Sequence, residues 1–294
     1  MTRSLQLPPW LRRAARSVGT LLLTAAAGGF LAATMARFSP GFEADERQLD
    51  PRLNPAGRQA LERERAGERH VALFYARYMA GLCRGDLGYS RTLSRPVSAL
   101  IAERAAVTLR LVGVGLAAGW VLGLALALAV VALRIPLAEA AANALAGGLL
   151  SVPSAVIGIL LFVYGGAPAA GMALVVFPRV FSYARDLVAH AYAMPHVLAA
   201  RARGVRESRI AWRHVLPVAA PELLALAGVS LSIGFGAAIP LEAVCDLPGI
   251  GQLAWKAALG HDLSVLVALT LLIALVTQAA NAASGLAAAA WRPQ

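Results

Sequence analysis

Lysine is almost missing from this chain of 294 residues. Lys256 is one of 27 basic residues, and arginine supplies the rest. A nucleotide-binding P-loop needs Gly-Lys followed by Ser or Thr, whereas Lys256 sits in AWKAA, which excludes ATP binding of that kind. Cysteine is nearly as scarce: Cys83 and Cys245 are too few and too far apart for a metal-binding framework. They allow one disulfide at most, and two separately packed thiols are the simpler reading. Charge is thin as well, at 15% of residues against 59% apolar, with a mean hydropathy of +0.65. An ordinary soluble domain carries roughly a quarter charged residues, so the balance argues against a soluble enzyme. No Ser-His-Asp or paired-carboxylate arrangement stands out. His190 and His196, six apart, do not share a helical face as metal ligands would.

What the chain does contain is long apolar runs with arginines at their ends. The net charge of +11 raises nucleic acid as a partner, but arginines placed this way are topology signals instead. At roughly 20 residues per span, six runs qualify: 18–36, 105–133, 141–164, 168–184, 218–241 and 264–290. The fourth is short and contains Arg179. The first follows Arg3, Arg12, Arg13 and Arg16. A cleavable signal peptide has the same layout, but this run is longer than the usual signal core and reads as an uncleaved first helix. Residues 37–104 alternate acids and arginines, contain Pro40, Pro51 and Pro55, and leave no room for a span. The expectation is an all-α integral membrane protein with six transmembrane helices and one insertion. Counting alternate sides from a cytoplasmic N-terminus puts 185–217, the 134–139 turn and the tail in the cytoplasm, in line with the positive-inside rule.

The basic stretch HVLAARARGVRESRIAWRHVLPVAAPEL, residues 196–223, has the strongest local signals. A glycine such as Gly204 stops a helix in a left-handed turn, and Pro217 suits the first turn of the next helix. Together they predict a helix-turn-helix lying under the membrane, with an Ala-rich face flanked by guanidiniums that suit acids at an interface rim. A loop that only sets topology would have the same composition. Elsewhere, Arg110 and Arg179 lie inside apolar runs, where a charge marks a candidate translocation path unless it snorkels to the interface. Glu242 and Asp246 border the outer mouth, as contacts for a delivery protein or caps of a turn around Pro248, Gly249 and Gly251. Asp86 reads as a turn residue. Gly113, Gly115 and Gly119 read as close helix packing in lipid.

The spacing within 196–223 resembles the cytoplasmic loop of ABC-importer permeases: EAA, three residues, Gly, nine residues, Ile, one residue, Leu-Pro. Here nine residues separate Gly204 from His214, which is followed by Val215, Leu216 and Pro217. Leu198 stands in place of the acid and His214 in place of Ile. Both departures look like the dipeptide, oligopeptide and nickel branch, whose version reads TARAKG followed by RH-x-L; AARARG at 199–204 and RHVLP at 213–217 match it. Three further segments resemble the subunit of that branch with a large loop after its first span. They are RGDLGYSRTLSRPVSALIAERAAVTLRL at 84–111, EAVCDLPGIGQL at 242–253 and GHDLSVLVALTLL from Gly260.

The resemblance implies a type I ABC-importer permease fold: a cytoplasmic N-terminus at 1–17, TM1 at 18–36, a periplasmic insertion at 37–104, a core permease domain at 105–290, and a tail at 291–294. It makes 185–217 the coupling loop, with Ala199, Ala200, Arg201, Ala202, Arg203, Gly204, Arg213, His214, Leu216 and Pro217 docking on an ATPase. It also implies a second permease subunit, two ATPase subunits holding ATP-Mg, a periplasmic solute-binding protein, and a bacterial inner-membrane location with both termini cytoplasmic. No cofactor is expected on this chain, and no nucleic acid. Peptide is the favoured cargo, with nickel or another chelated metal as the alternative. A secondary transporter would need mid-membrane acids or histidines as ion relays, and these are nearly absent from the sequence.

Overall fold

The computed structural model describes residues 9–38 and 70–291. Helix α1 spans Pro9–Arg37, and α2 spans Val71–Leu82. Two-residue strands β1, Tyr89–Ser90, and β2, Arg95–Pro96, pair antiparallel, with Tyr89 opposite Pro96. Then come α3, Val97–Leu133; α4, Pro136–Ser151; α5, Ser154–Val163; and α6, Pro168–Tyr192. Helix α7, Pro195–Ala202, and α8, Glu207–Ile210, lead through a π turn at Ala211–Val215 into α9, Leu216–Val244. Helices α10, Ile250–Leu259, and α11, Leu263–Trp291, complete the order.

Five of the six apolar runs lie within a single helix each. Among the described residues, three stretches are long and apolar enough to cross a membrane: Val97–Leu133, Glu207–Val244 and Leu263–Trp291. The bent pair α4 and α5 adds a fourth if it counts as one span. The run at 141–164, expected as a single helix, is broken by 95° between Ser151 and Ser154. Pro153 pushes the residue before it out of the helical region, and Val152 is extended, at φ −86° and ψ 122°. Helix α3 starts at Val97, eight residues ahead of the apolar run that predicted it. At 1.5 Å per residue its 37 residues reach about 55 Å, well beyond a hydrocarbon core of about 30 Å.

The chain divides into two compact units. In the first, Met1–Arg104 with Leu253–Val276, the Tyr75 hydroxyl donates to the Ala26 carbonyl at 2.6 Å, and the ring meets Phe30 edge-on. Asp262, 1% exposed, caps α11 by accepting from Val265 N. It also accepts from Ser90 Oγ, Thr92 Oγ1 and Thr92 N at 2.8 to 3.1 Å, which ties the small hairpin to that helix.

In the second unit, Ala105–Gln252 with Thr277–Gln294, α3 packs on α6 through a glycine stripe. A Cβ at Gly115 would lie 2.2 Å from Met172 Cγ; at Gly119 it would lie 3.0 Å from Val176 Cβ, and at Gly123 2.9 Å from Val180 Cγ1. The close-packing expectation therefore holds for Gly115 and Gly119 and extends to Gly123, whereas Gly113 faces open space. Farther along α6, Phe177 stacks on Phe181 within a buried cluster that includes Ala127, Ala142, Ala184 and Leu223. On α9, a Cβ at Gly228 would meet Asn281 and Ser284 of α11 at under 3.0 Å.

Candidate functional site

The basic stretch folds as two short helices around Gly204. Pro195 opens α7 after the extended Met194. The helix ends in a Schellman turn: Val205 N donates to Ala200 O at 3.2 Å, Gly204 N donates to Arg201 O at 2.9 Å, and Gly204 has φ +75°. Val197, Ala200, Ile210 and Val215 are buried with Val188, Ala191 and Tyr192 at the end of α6, and Val205 packs against this cluster. Leu198, Ala199, Ala202 and Arg203 point outward. Of the small residues the sequence puts on this face, Ala199 and Ala202 are exposed beside Arg203, whereas Ala200 is 1% exposed and packs inward, so it is closed to a docking partner.

An ion pair spans the turn. Arg201 Nε and Nη2 donate to the two carboxylate oxygens of Glu207 at 2.6 and 3.1 Å, while the guanidinium lies 5.7 Å from the centre of the Tyr192 ring. That bidentate contact holds the Glu207 carboxyl below its usual range. After α8 the helix widens into the π turn. Pro217 has no N–H and its ring obstructs the carbonyl four residues back, so the ladder shifts by one residue and Leu216 N donates to Ala211 O. Arg206, Arg209 and Arg213 are exposed, as is Trp212. His214 is partly buried, its carbonyl 3.3 Å from His196 Nε2. Leu216 packs against the α6 cluster, and Pro217 O accepts from the Trp291 indole N–H at 3.2 Å. Arg185, at the upstream end of the stretch, pairs with Glu139 at 3.0 Å and Asp186 at 2.6 Å. The residues expected in the coupling loop are thus spread over α7, the turn after it, the π turn and the start of α9.

The other candidates are placed separately. Arg110 on α3 and Arg179 on α6 both have exposed side chains, the latter beside the buried Pro178. Glu242 is not a surface residue. It is 0% exposed, and its carboxylate accepts from Thr108 Oγ1 at 2.7 Å, Gly251 N at 2.7 Å and Gln252 N at 3.2 Å. Thr108 Oγ1 in turn accepts from Ile250 N at 2.7 Å. The two glycines of the PGIG segment are what let the chain press onto this acid: a Cβ at Gly249 would lie 2.2 Å from Glu242 Oε2, and one at Gly251 2.7 Å from Ala238 O. A direct contact with a delivery protein is thus closed to Glu242, and only Asp246 of the pair is exposed. Cys83 and Cys245 are both free thiols.

Sequence reasoning missed Tyr192, Glu207, Thr108 and Gln252. A signal existed for Glu207, the lone acid between Asp186 and the fifth apolar run. None existed for Thr108, which is brought to Glu242 from 134 residues away.

The family described as binding-protein-dependent transport system inner membrane component matches residues 142–293. A putative peptide permease protein of Brucella ovis is 27% identical over 281 residues, covering 84% of this chain and 88% of the relative. A dipeptide transport system permease protein of Lactococcus lactis is 24% identical over 89% of this chain and 91% of its own. A glutathione transport system permease protein of Salmonella paratyphi A is 26% identical over 74% and 77%. With its basic helical hinge, its apolar helices and a family match that takes in more than half its length, the chain belongs to the inner-membrane components of binding-protein-dependent transport systems.

Proposed function

We propose that this chain is the permease subunit of an ATP-driven importer of short peptides, with 185–217 as the loop through which partner ATPases move its helices. The cargo reading is supported by relatives named for peptide, dipeptide and glutathione transport. In this reading ATP-Mg is bound and hydrolysed by two partner subunits, a second permease completes the path, and a solute-binding protein delivers cargo from outside. Both termini and the Gly204 hinge lie in the cytoplasm, and residues 37–104 lie on the far side. Arg110 and Arg179 are candidates for the path between.

The single observation that carries the coupling role is the Schellman turn at Gly204. It presents Ala199, Ala202 and Arg203 outward while anchoring the hinge in the apolar cluster at the end of α6. A push on α7 therefore acts directly on α6 and α9. Gly204→Arg tests this. Its Cβ would meet nothing within 4 Å, so the substitution is accommodated apart from the left-handed backbone, which costs about 1–2 kcal/mol. The expected result is a normal amount of protein in the membrane with uptake abolished. Uptake persisting at normal expression overturns the docking role.

A further inference from the structure

We propose that Trp291, at the C-terminal end of α11, is a positioning residue that ties the last helix to the base of α9, so that a movement of the Gly204 hinge is passed to α11 as well. The proposal rests on the reading of 185–217 as the coupling loop.

The first observation is a backbone carbonyl that loses its regular donor. Helix α9 begins at Leu216 and contains Pro221, which is buried inside it. In an α-helix the carbonyl of Pro217 would accept from the backbone N–H of residue 221. Proline has no N–H to give, and its ring crowds the carbonyl four residues back. A spanning helix tolerates such a proline when a neighbouring helix supplies the missing donor.

The second observation is where a donor comes from. Trp291 Nε1 donates to Pro217 O at 3.2 Å, from 74 residues farther along the chain. Indole nitrogen can only donate, and this carbonyl can only accept. The ring is 55% exposed, so packing alone does not fix its direction, and the hydrogen bond does. A donor within α9 would satisfy the carbonyl and nothing more. A donor on α11 satisfies it and joins two helices.

The third observation is that this bond ends a series. Asn281 Nδ2 donates to Ser232 Oγ at 3.4 Å, a Cβ at Gly228 would lie 2.2 Å from Ser284 Oγ, and Trp291 reaches Pro217. As α9 is followed back from Ser232 through Gly228 to Pro217, the partners advance along α11 from Asn281 through Ser284 to Trp291. The two helices are therefore antiparallel, and their seam extends to the end of α9 that the hinge enters. Pro217 lies just beyond the π turn, in the first turn of α9. A displacement of the hinge thus reaches α11 through Trp291 before it reaches the contacts at Gly228 or Ser232.

The test uses the whole transporter, with its ATPases and binding protein, in proteoliposomes. Uptake of a labelled mixture of di- and tripeptides is measured together with ATP hydrolysis, and the melting temperature of the same preparation is recorded. Trp291→Phe keeps an aromatic ring and removes the donor. It should lower the melting temperature by about 3 °C. Cargo carried per ATP should fall by about fivefold, which is what one net hydrogen bond amounts to as an equilibrium constant. Pro221→Ala gives α9 its own donor for Pro217 O. In that background, adding Trp291→Phe should shift the melting temperature by no more than about 1 °C. Cargo carried per ATP should nevertheless stay low in the double variant, because a donor within α9 does not join it to α11.

A fall in uptake matched by an equal fall in hydrolysis overturns the positioning role, because loss of folded protein lowers both alike. A ratio of cargo to ATP that recovers in the double variant overturns it as well, since the indole would then serve only to satisfy a carbonyl. A melting drop of the same size in both backgrounds overturns the pairing of the indole with the freed carbonyl and leaves Trp291 as an interfacial anchor. Gly204→Arg separates this proposal from the reading beneath it. Uptake persisting in that variant overturns the coupling loop, whereas the melting comparison at positions 221 and 291 reports the contact in either case.

Discussion

After α7 the chain turns at Gly204, and after α9 it turns at Asp246; in both places the residue beyond the turn donates its N–H to the carbonyl five residues back. A glutamate secures each turn, in opposite environments. Glu207 is half exposed and shares both oxygens with the Arg201 guanidinium across the turn. Glu242 is sealed from solvent and held by two backbone N–H groups and one hydroxyl. An exposed ion pair is worth about 0–1 kcal/mol and is weakened by salt, so the Gly204 hinge can yield to a partner at little cost. A buried carboxylate that loses its donors has no water to replace them, so the Asp246 turn resists rearrangement.

Substitutions at these two acids, and at Gly249 beside Glu242, test that contrast. Glu242→Ala leaves the N–H groups of Gly251 and Gln252 buried without an acceptor and empties the space the side chain fills. The expected loss is about 3 kcal/mol or more, seen as a large drop in melting temperature or in monodisperse protein after detergent extraction. Gly249→Ala keeps the acid but sets a methyl where Glu242 Oε2 now lies, 2.2 Å from the new carbon. Overpacking of this kind costs about 1–3 kcal/mol, measured by the same melting assay. Glu207→Gln should be the mildest, below about 1 kcal/mol. Its folded-state carboxyl is held below the usual range, so its contribution is present at neutral pH and lost as pH falls through that lowered value. The gap between parent and Glu207→Gln melting temperatures should therefore close on acidification and in high salt. A gap that stays constant in acid would show that the ion pair does not set the stiffness of the hinge.

The hinge was legible in the sequence because its determinants are local. Gly204 sits where a helix must stop, Pro217 sits where another begins, and arginines fill the intervals. Helix packing through Gly115 and Gly119 was legible for the same reason. The break at Pro153 was visible as a proline in an apolar run, but hydropathy averages across such a residue and reads one span where the backbone bends by 95°. The burial of Glu242 was illegible. An acid at the end of an apolar run has the composition of a surface residue, and its donors come from Thr108 on α3 and from a loop folded back by two glycines. The π turn was equally hidden: Pro217 sits in the first turn of α9 as the sequence suggested, but the helical ladder before it runs on into α9 without a break.

The glycine stripe on α3 bears on how force travels. With no side chains at Gly115, Gly119 and Gly123, the α3 backbone rests against Met172, Val176 and Val180. Helix α6 runs directly into the basic hinge through Tyr192 and Pro195. With backbone against side chain and no intervening space at three successive turns, α3 and α6 can slide or tilt against one another only by moving Met172, Val176 or Val180 first.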